Sequence, residues 1–132
     1  MNQLYTDGGS RGNPGSSAIG YFIFDHNKLV NFGGDFIGIG TNNNAEYQAL
    51  INGLILCTTC EIKTVECVLD SELVVNQLNK KYKVNSLEIK KLYDKVISIS
   101  EYFDKITFKH VPRNENKFAD KLVNIILDNV KK

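Results

Sequence analysis

The chemistry available to this chain rests on four acidic residues. Asp7 closes a short apolar run, Gln3–Thr6, and is followed by a segment with four glycines and a proline, Gly8–Gly15. Strand and helix interiors tolerate such a segment poorly. The expectation is therefore a strand that ends on a carboxylate at the rim of a sheet, followed by a loop whose backbone N–H groups face a ligand. Asp70 closes a second apolar run, Thr64–Leu69. Glu46 falls one turn into a helical pattern, and Asp120 falls at the start of the last one. Each also has a purely structural reading. Glu46 fits a capping pair with Asn43, Asp70 fits the N-terminal cap of a helix opening at Ser71, and Asp120 suits the positive end of its helix dipole.

Taken together, four acids from distant parts of the chain would crowd one rim. Uncompensated carboxylates repel, more so at low dielectric. Divalent cations resolve that repulsion, and an all-oxygen donor set selects a hard ion, Mg²⁺ or Mn²⁺. Cys57-Thr58-Thr59-Cys60 matches C-x-x-C but falls at the end of an apolar helical run with no second pair, so packing is favoured there over a redox or zinc role.

The elements that must position these acids follow from periodicity. Ala18–Asp25 is a nearly continuous apolar run, as in a strand covered on both faces. A turn at Asp25–Lys28 leads to a third strand, Leu29 to about Ile37, with a bulge expected at Gly33-Gly34. From Asn43, apolar residues recur at three and four (Tyr47, Leu50, Ile51, Leu54, Ile55, Cys57), which is helical. A strand at Thr64–Leu69 and a short helix from Ser71 to Leu78 follow. Ser86 caps a longer helix with Leu92, Val96, Ile99 and Phe103 as its buried stripe. A fifth strand spans Ile106–Val111, and Phe118, Leu122, Ile125, Ile126 and Val130 mark a closing helix. The order β-β-β-α-β-α-α-β-α predicts an α/β fold. Strands 1–3 form an antiparallel meander, and strands 4 and 5 return parallel to strand 1 in a mixed five-stranded sheet with helices on both faces. In such a sheet Asp7 and Asp70 emerge together at the carboxyl end, where open α/β sheets bind ligands.

Composition sets the outer bounds. A chain of 132 residues is expected to form a single domain, 1–132. Its net charge of +1 confines any nucleic-acid affinity to local lysine clusters. No apolar run approaches the roughly 20 residues that span a bilayer, so a cytoplasmic location is expected. Three cysteines, Cys57, Cys60 and Cys67, suit no disulfide framework and read as packing residues.

Four blocks carry a resemblance. Tyr5-Thr6-Asp7-Gly8-Gly9-Ser10-Arg11-Gly12-Asn13-Pro14-Gly15, Thr41-Asn42-Asn43-Asn44-Ala45-Glu46, Leu69-Asp70-Ser71 and Asn116-x-x-x-Asp120 resemble, in order and spacing, ribonuclease H type 1. The likeness runs from residue 4 to about 124. It implies an RNase H-like fold and an endonuclease that cuts the RNA strand of RNA–DNA hybrids with two metal ions, leaving 5′-phosphate and 3′-hydroxyl ends. By this resemblance Asp7, Glu46, Asp70 and Asp120 hold two Mg²⁺ (or Mn²⁺) ions, with Asp7 between them. Gly8, Gly9, Ser10, Asn13, Asn42 and Asn43 would contact the 2′-hydroxyls and backbone of the RNA strand. The partner would be the hybrid duplex, bound by a monomer.

Three departures from the family's best-known bacterial pattern stand out. The segment between Asp70 and Asp120 is short, so the extra basic helix that grips substrate in some relatives is absent. Lys80 and Lys81, with Lys83, Lys90 and Lys91, either replace it in part or form a solvated face. Glu72 stands where the family often has a glutamine. His110 matches, by ungapped count, a histidine that assists product release in many relatives. His110-Val111-Pro112-Arg113 nevertheless looks more like the compact archaeal-type subgroup and its bacterial relatives, in which an arginine at the position of Arg113 serves the site. Two other readings are a non-catalytic duplex-binding module and a different nuclease of the same superfamily.

Overall fold

In the computed structural model, which describes residues 1–130, five strands and four helices follow one another in the predicted order. They are β1 (Asn2–Gly12), β2 (Gly15–Asp25), β3 (Lys28–Gly40), α1 (Asn42–Thr59), β4 (Thr64–Leu69), α2 (Glu72–Leu78), α3 (Leu87–Ser100), β5 (Lys105–His110) and α4 (Lys117–Asp128), with a 3₁₀ turn at Arg113–Glu115 before α4. The sheet order is β3-β2-β1-β4-β5. β1, β2 and β3 pair antiparallel, while β4 runs parallel to β1 and β5 parallel to β4, as predicted.

The main core lies on one face. Leu4, Ile23, Val65, Cys67 and Leu69 from the sheet pack there against Tyr47, Leu50, Leu54 and Cys57 of α1, Val74 and Leu78 of α2, and Ile89 and Val96 of α3. Each such side chain contributes roughly 1.5–3 kcal/mol by leaving water. The Tyr47 hydroxyl would be orphaned in this layer, but it donates to Gln77 Oε1 at 2.7 Å. On the opposite face α4 covers β1–β3, with Ala18, Val123, Leu127 and Ile126 forming a second, smaller cluster. Cys57 and Cys67 are buried and Cys60 is half-buried, all as free thiols, in keeping with a packing role.

Several local expectations are corrected. The glycine-rich segment after Asp7 is not a loop. β1 continues through Gly12 and pairs with β2 residue for residue, so Asp7 sits within a strand opposite Gly20. It is still at a rim, because β4 stops beside Thr6. Low strand propensity loses here to a steric demand: a Cβ on Gly8 would come within 2.1 Å of the Ala45 carbonyl oxygen, so only glycine lets α1 lie this close to β1.

The bulges of β3 fall at Val30 and Ile37, not at Gly33-Gly34. Those two glycines instead make room: a Cβ on Gly33 would meet the Tyr21 ring at 2.6 Å, and one on Gly34 would meet Leu122 at 2.8 Å. The cap of α1 is Thr41, whose Oγ1 accepts from Asn44 N at 3.2 Å, and not Asn43 with Glu46. Ser71 and Ser86 do cap α2 and α3, which leaves Asp70 free of the capping role. β5 begins and ends one residue earlier than predicted. In α3 the fully buried positions are Ile89 and Val96, with Leu92 and Ile99 half-buried and Phe103 buried beyond the helix end. α4 is rotated from the predicted stripe: Ala119, Val123 and Leu127 face inward, while Phe118 and Ile125 are exposed. Gly9 and Gly20 beneath the helix bring it near enough for these smaller side chains to fill the gap.

Candidate active site

Asp7, Glu46 and Asp70 reach one point from three elements. Each offers a carboxylate oxygen, and the three oxygens lie within 4.8 Å of one another. Asp7 projects from the middle of β1. Asp70 follows the last residue of β4, and the N-cap at Ser71 turns the chain away immediately after it. Glu46 lies on the first turns of α1, and one of its oxygens, Oε1, accepts the Gly8 backbone N–H at 2.8 Å. The close approach that requires Gly8 therefore also delivers Glu46 to the site.

Asp120 lines the same cavity, of about 350 Å³, without joining the trio. Its Oδ1 accepts from Arg113 Nη2 at 2.9 Å and Nε at 3.2 Å, so a guanidinium fork holds it from the 3₁₀ turn. The four acids predicted at one rim thus divide into a converged trio and a fourth that is held by a counter-charge.

The electrostatics record the crowding. Asp7 is buried, and its carboxyl is pushed from 3.8 up to about 7, by burial first and then by Asp70 and Asp120. Glu46 is held well above the usual carboxylate range by burial and then by Asp7 and Asp70. Burial also raises Asp70, against the opposing pull of the Asn116 amide and the Arg113 guanidinium. Such a cluster is uncomfortable when fully ionised and accommodates hard divalent cations by the chemistry of its donors alone.

The rim is built by a second network. Ser10 N donates to Asn42 Oδ1 at 2.8 Å, Asn42 N donates to Asn13 Oδ1 at 3.1 Å, and Ser10 Oγ donates to the Gly40 carbonyl at 2.9 Å. The tip of the β1–β2 hairpin is thereby fastened to the start of α1. Gly8, Gly9, Ser10 and Asn42 line the cavity with the acids. Asn13 supports Asn42 from outside the lining, and Asn43 is exposed beyond it.

The remaining predicted residues divide. Arg113 lines the cavity, whereas His110, at the exposed end of β5, is not among its lining residues. Lys80 lines a different cavity with Tyr82, Lys83 and Lys90, and Lys81 is exposed beside it.

Two residues at the site carry no role in the sequence reading. Asn116 is almost fully buried, and its Nδ2 donates at 2.8 Å to the carbonyl of Thr6, the residue before Asp7. It appears in the sequence four residues before Asp120, and that spacing is the signal that could have found it. Arg11 lines the cavity from β1, inside the glycine-rich block.

A family model described as "Reverse transcriptase-like" matches residues 5–125. The chain is 38% identical over 125 residues to a ribonuclease HI of Halobacterium salinarum, covering 94% of this chain and 63% of that protein. The crystal structure of RNase H1 from Halobacterium salinarum superposes with a TM-score of 0.95 at 37% identity, covering 98% of each chain. LC11-RNase H1, solved in complex with an RNA/DNA hybrid, superposes with a TM-score of 0.93 at 38% identity, covering 97% of each. The chain spans about a third of the length (35%) of the first curated relatives it matches. Among the described residues no helix is long and apolar enough to cross a membrane.

Proposed function

Starting from the premise that the chain belongs to the reverse transcriptase-like family of ribonuclease H domains, we propose that it is a ribonuclease H. In this reading residues 1–132 act as one catalytic domain, a cytoplasmic monomer that hydrolyses the RNA strand of RNA–DNA hybrids and leaves 5′-phosphate and 3′-hydroxyl ends. The observation that carries it is the convergence of Asp7, Glu46 and Asp70 within 4.8 Å at the end of the parallel strands. A binding-only module has no use for so unfavourable a cluster.

The donor set suits two Mg²⁺ or Mn²⁺ ions, with Asp7, Glu46, Asp70 and Asp120 as the residues that would hold them. When bound, such ions activate water and neutralise charge at the leaving oxygen. The chain itself supplies placement. Gly8 N fixes one Glu46 oxygen through its hydrogen bond, and Arg113 fixes Asp120. Among the described residues the side chains converging on the cluster are carboxylates, and this reading calls on no side-chain nucleophile.

Discrimination of RNA from DNA falls to Gly8, Gly9, Ser10, Asn13, Asn42 and Asn43. Short polar side chains and close-lying backbone suit the 2′-hydroxyl in a wide minor groove. Arg113 is the residue assigned to turnover in preference to His110, because the guanidinium already lies at the cavity and keeps its charge at every working pH. Lys80 and Lys81 add affinity that depends on salt but not on sequence.

The test is a panel of end-labelled RNA–DNA, RNA–RNA and DNA–DNA duplexes with Mg²⁺, Mn²⁺ or EDTA. Metal-dependent cleavage confined to the RNA strand of the hybrid is the expected result. Binding without cleavage, or cleavage of all-DNA duplex, would overturn it.

A further inference from the structure

Arg11 stands on the rim of the acidic cavity beside Ser10, Asn42 and Asn124. Its Nη1 pairs with Asp128 Oδ1 at 2.6 Å, and its Nη2 donates to Asn124 Oδ1 at 3.3 Å and to the Asn124 carbonyl at 3.5 Å. Asn124 is itself oriented, because its Nδ2 donates to the Asp120 carbonyl at 3.0 Å. Three oxygens therefore surround one guanidinium fork, the kind of acceptor set that a phosphate group presents.

Stability does not account for this arrangement. The side chains of Arg11 and Asp128 are 47% and 62% exposed, and an ion pair so placed exchanges with solvent at little cost. Asp128 is also the last residue of α4, at the negative end of the helix dipole, where a carboxylate is disfavoured. What the pair does accomplish is to park a cation at the mouth of the site.

We propose that Arg11 is a substrate-binding residue that grips a backbone phosphate of the hybrid next to the acidic cluster, and that Asp128 is the carboxylate it exchanges for that phosphate. The proposal rests on the ribonuclease H reading and deepens it by naming a contact. A guanidinium suits the task because its fork takes two oxygens of one phosphate, which an ammonium cannot do. The other reading of the same pair is a strap that ties the β1–β2 hairpin to α4, and it predicts a different response to substitution.

The test is fluorescence anisotropy of a labelled RNA–DNA hybrid with the full chain in EDTA, over a salt series. Arg11→Ala is expected to weaken binding and to reduce the log–log salt slope by about one. Asp128→Asn is expected to tighten binding by up to about fivefold, the worth of an exposed ion pair. The double variant should match Arg11→Ala, and Arg11→Lys should keep the slope but bind more weakly. Weaker binding by Asp128→Asn, or an unchanged slope in Arg11→Ala, overturns the proposal while leaving the enzyme reading intact if wild type still cleaves the hybrid. Absence of both binding and cleavage in wild type overturns both.

Discussion

Replacing Asp7 by asparagine should make the metal-free protein more stable while abolishing its activity. Asp7 is 8% exposed, and its carboxyl is pushed from 3.8 up to about 7, by burial first and then by Asp70 and Asp120. A shift of about three units, at ~1.4 kcal/mol each, sets the cost of keeping it ionised at about 4 kcal/mol, shared with the acids it repels. Asparagine keeps the shape and loses the charge, but its amide still gives up about 1–3 kcal/mol of solvation. The expected net gain is about 1–3 kcal/mol. Its sign depends on pH. The folded protein retains a proton that the unfolded chain has released between 3.8 and about 7, so the wild type loses stability as pH rises through that window. The advantage of Asp7→Asn should therefore be full at pH 8 and lost or reversed by about pH 4, where only the solvation cost of the amide remains. Urea unfolding in EDTA, followed by circular dichroism at both pH values, measures it. Equal stabilities at pH 8, or a gain that does not change with pH, would refute the reasoning that burial, with the neighbouring charges of Asp70 and Asp120, raises the group.

Other outcomes follow from the same geometry. Arg113→Ala should lower kcat more than it raises KM in steady-state hybrid cleavage, because it releases Asp120 from the fork that holds it. Gly8→Ala should destabilise by about 2–3 kcal/mol in denaturant titration, since the new methyl meets the Ala45 backbone, and it should also weaken cleavage by moving Glu46. Asn116→Ala should cost about 1–3 kcal/mol by leaving the buried Thr6 carbonyl without its donor. Adding Mg²⁺ should raise the thermal midpoint of wild type, and Asp70→Asn should remove most of that rise in differential scanning fluorimetry.

Much of this was legible in the sequence because it depends on period and order. Alternating and helical apolar patterns fix the elements, and short connections leave few topologies, so Asp7 and Asp70 had to meet. Apart from the α1 cap, the errors share a physical cause: they lie where a neighbour distant in sequence decides. Gly8–Gly12 lacks strand propensity, yet pairing with β2 and the proximity of α1 make it a strand. Thr41 and Asn43 both suit an N-cap by residue type, and the hydrogen bond to Asn44 N selects the first. The rotation of α4 depends on which sheet positions are glycine on three different strands. The pairing of Arg113 with Asp120 joins residues that the sequence assigns separately, one to turnover and one to metal binding.

The single hydrogen bond from Asn116 to Thr6 has a consequence for biosynthesis. It stitches together positions 110 apart in sequence. A nascent chain leaves the ribosome with Asp7, Glu46 and Asp70 long before Asn116 and Asp120. Translation thus delivers Asp7, Glu46 and Asp70 first and the Asn116 brace last, and a copy interrupted before Asn116 would carry those three acids without that brace.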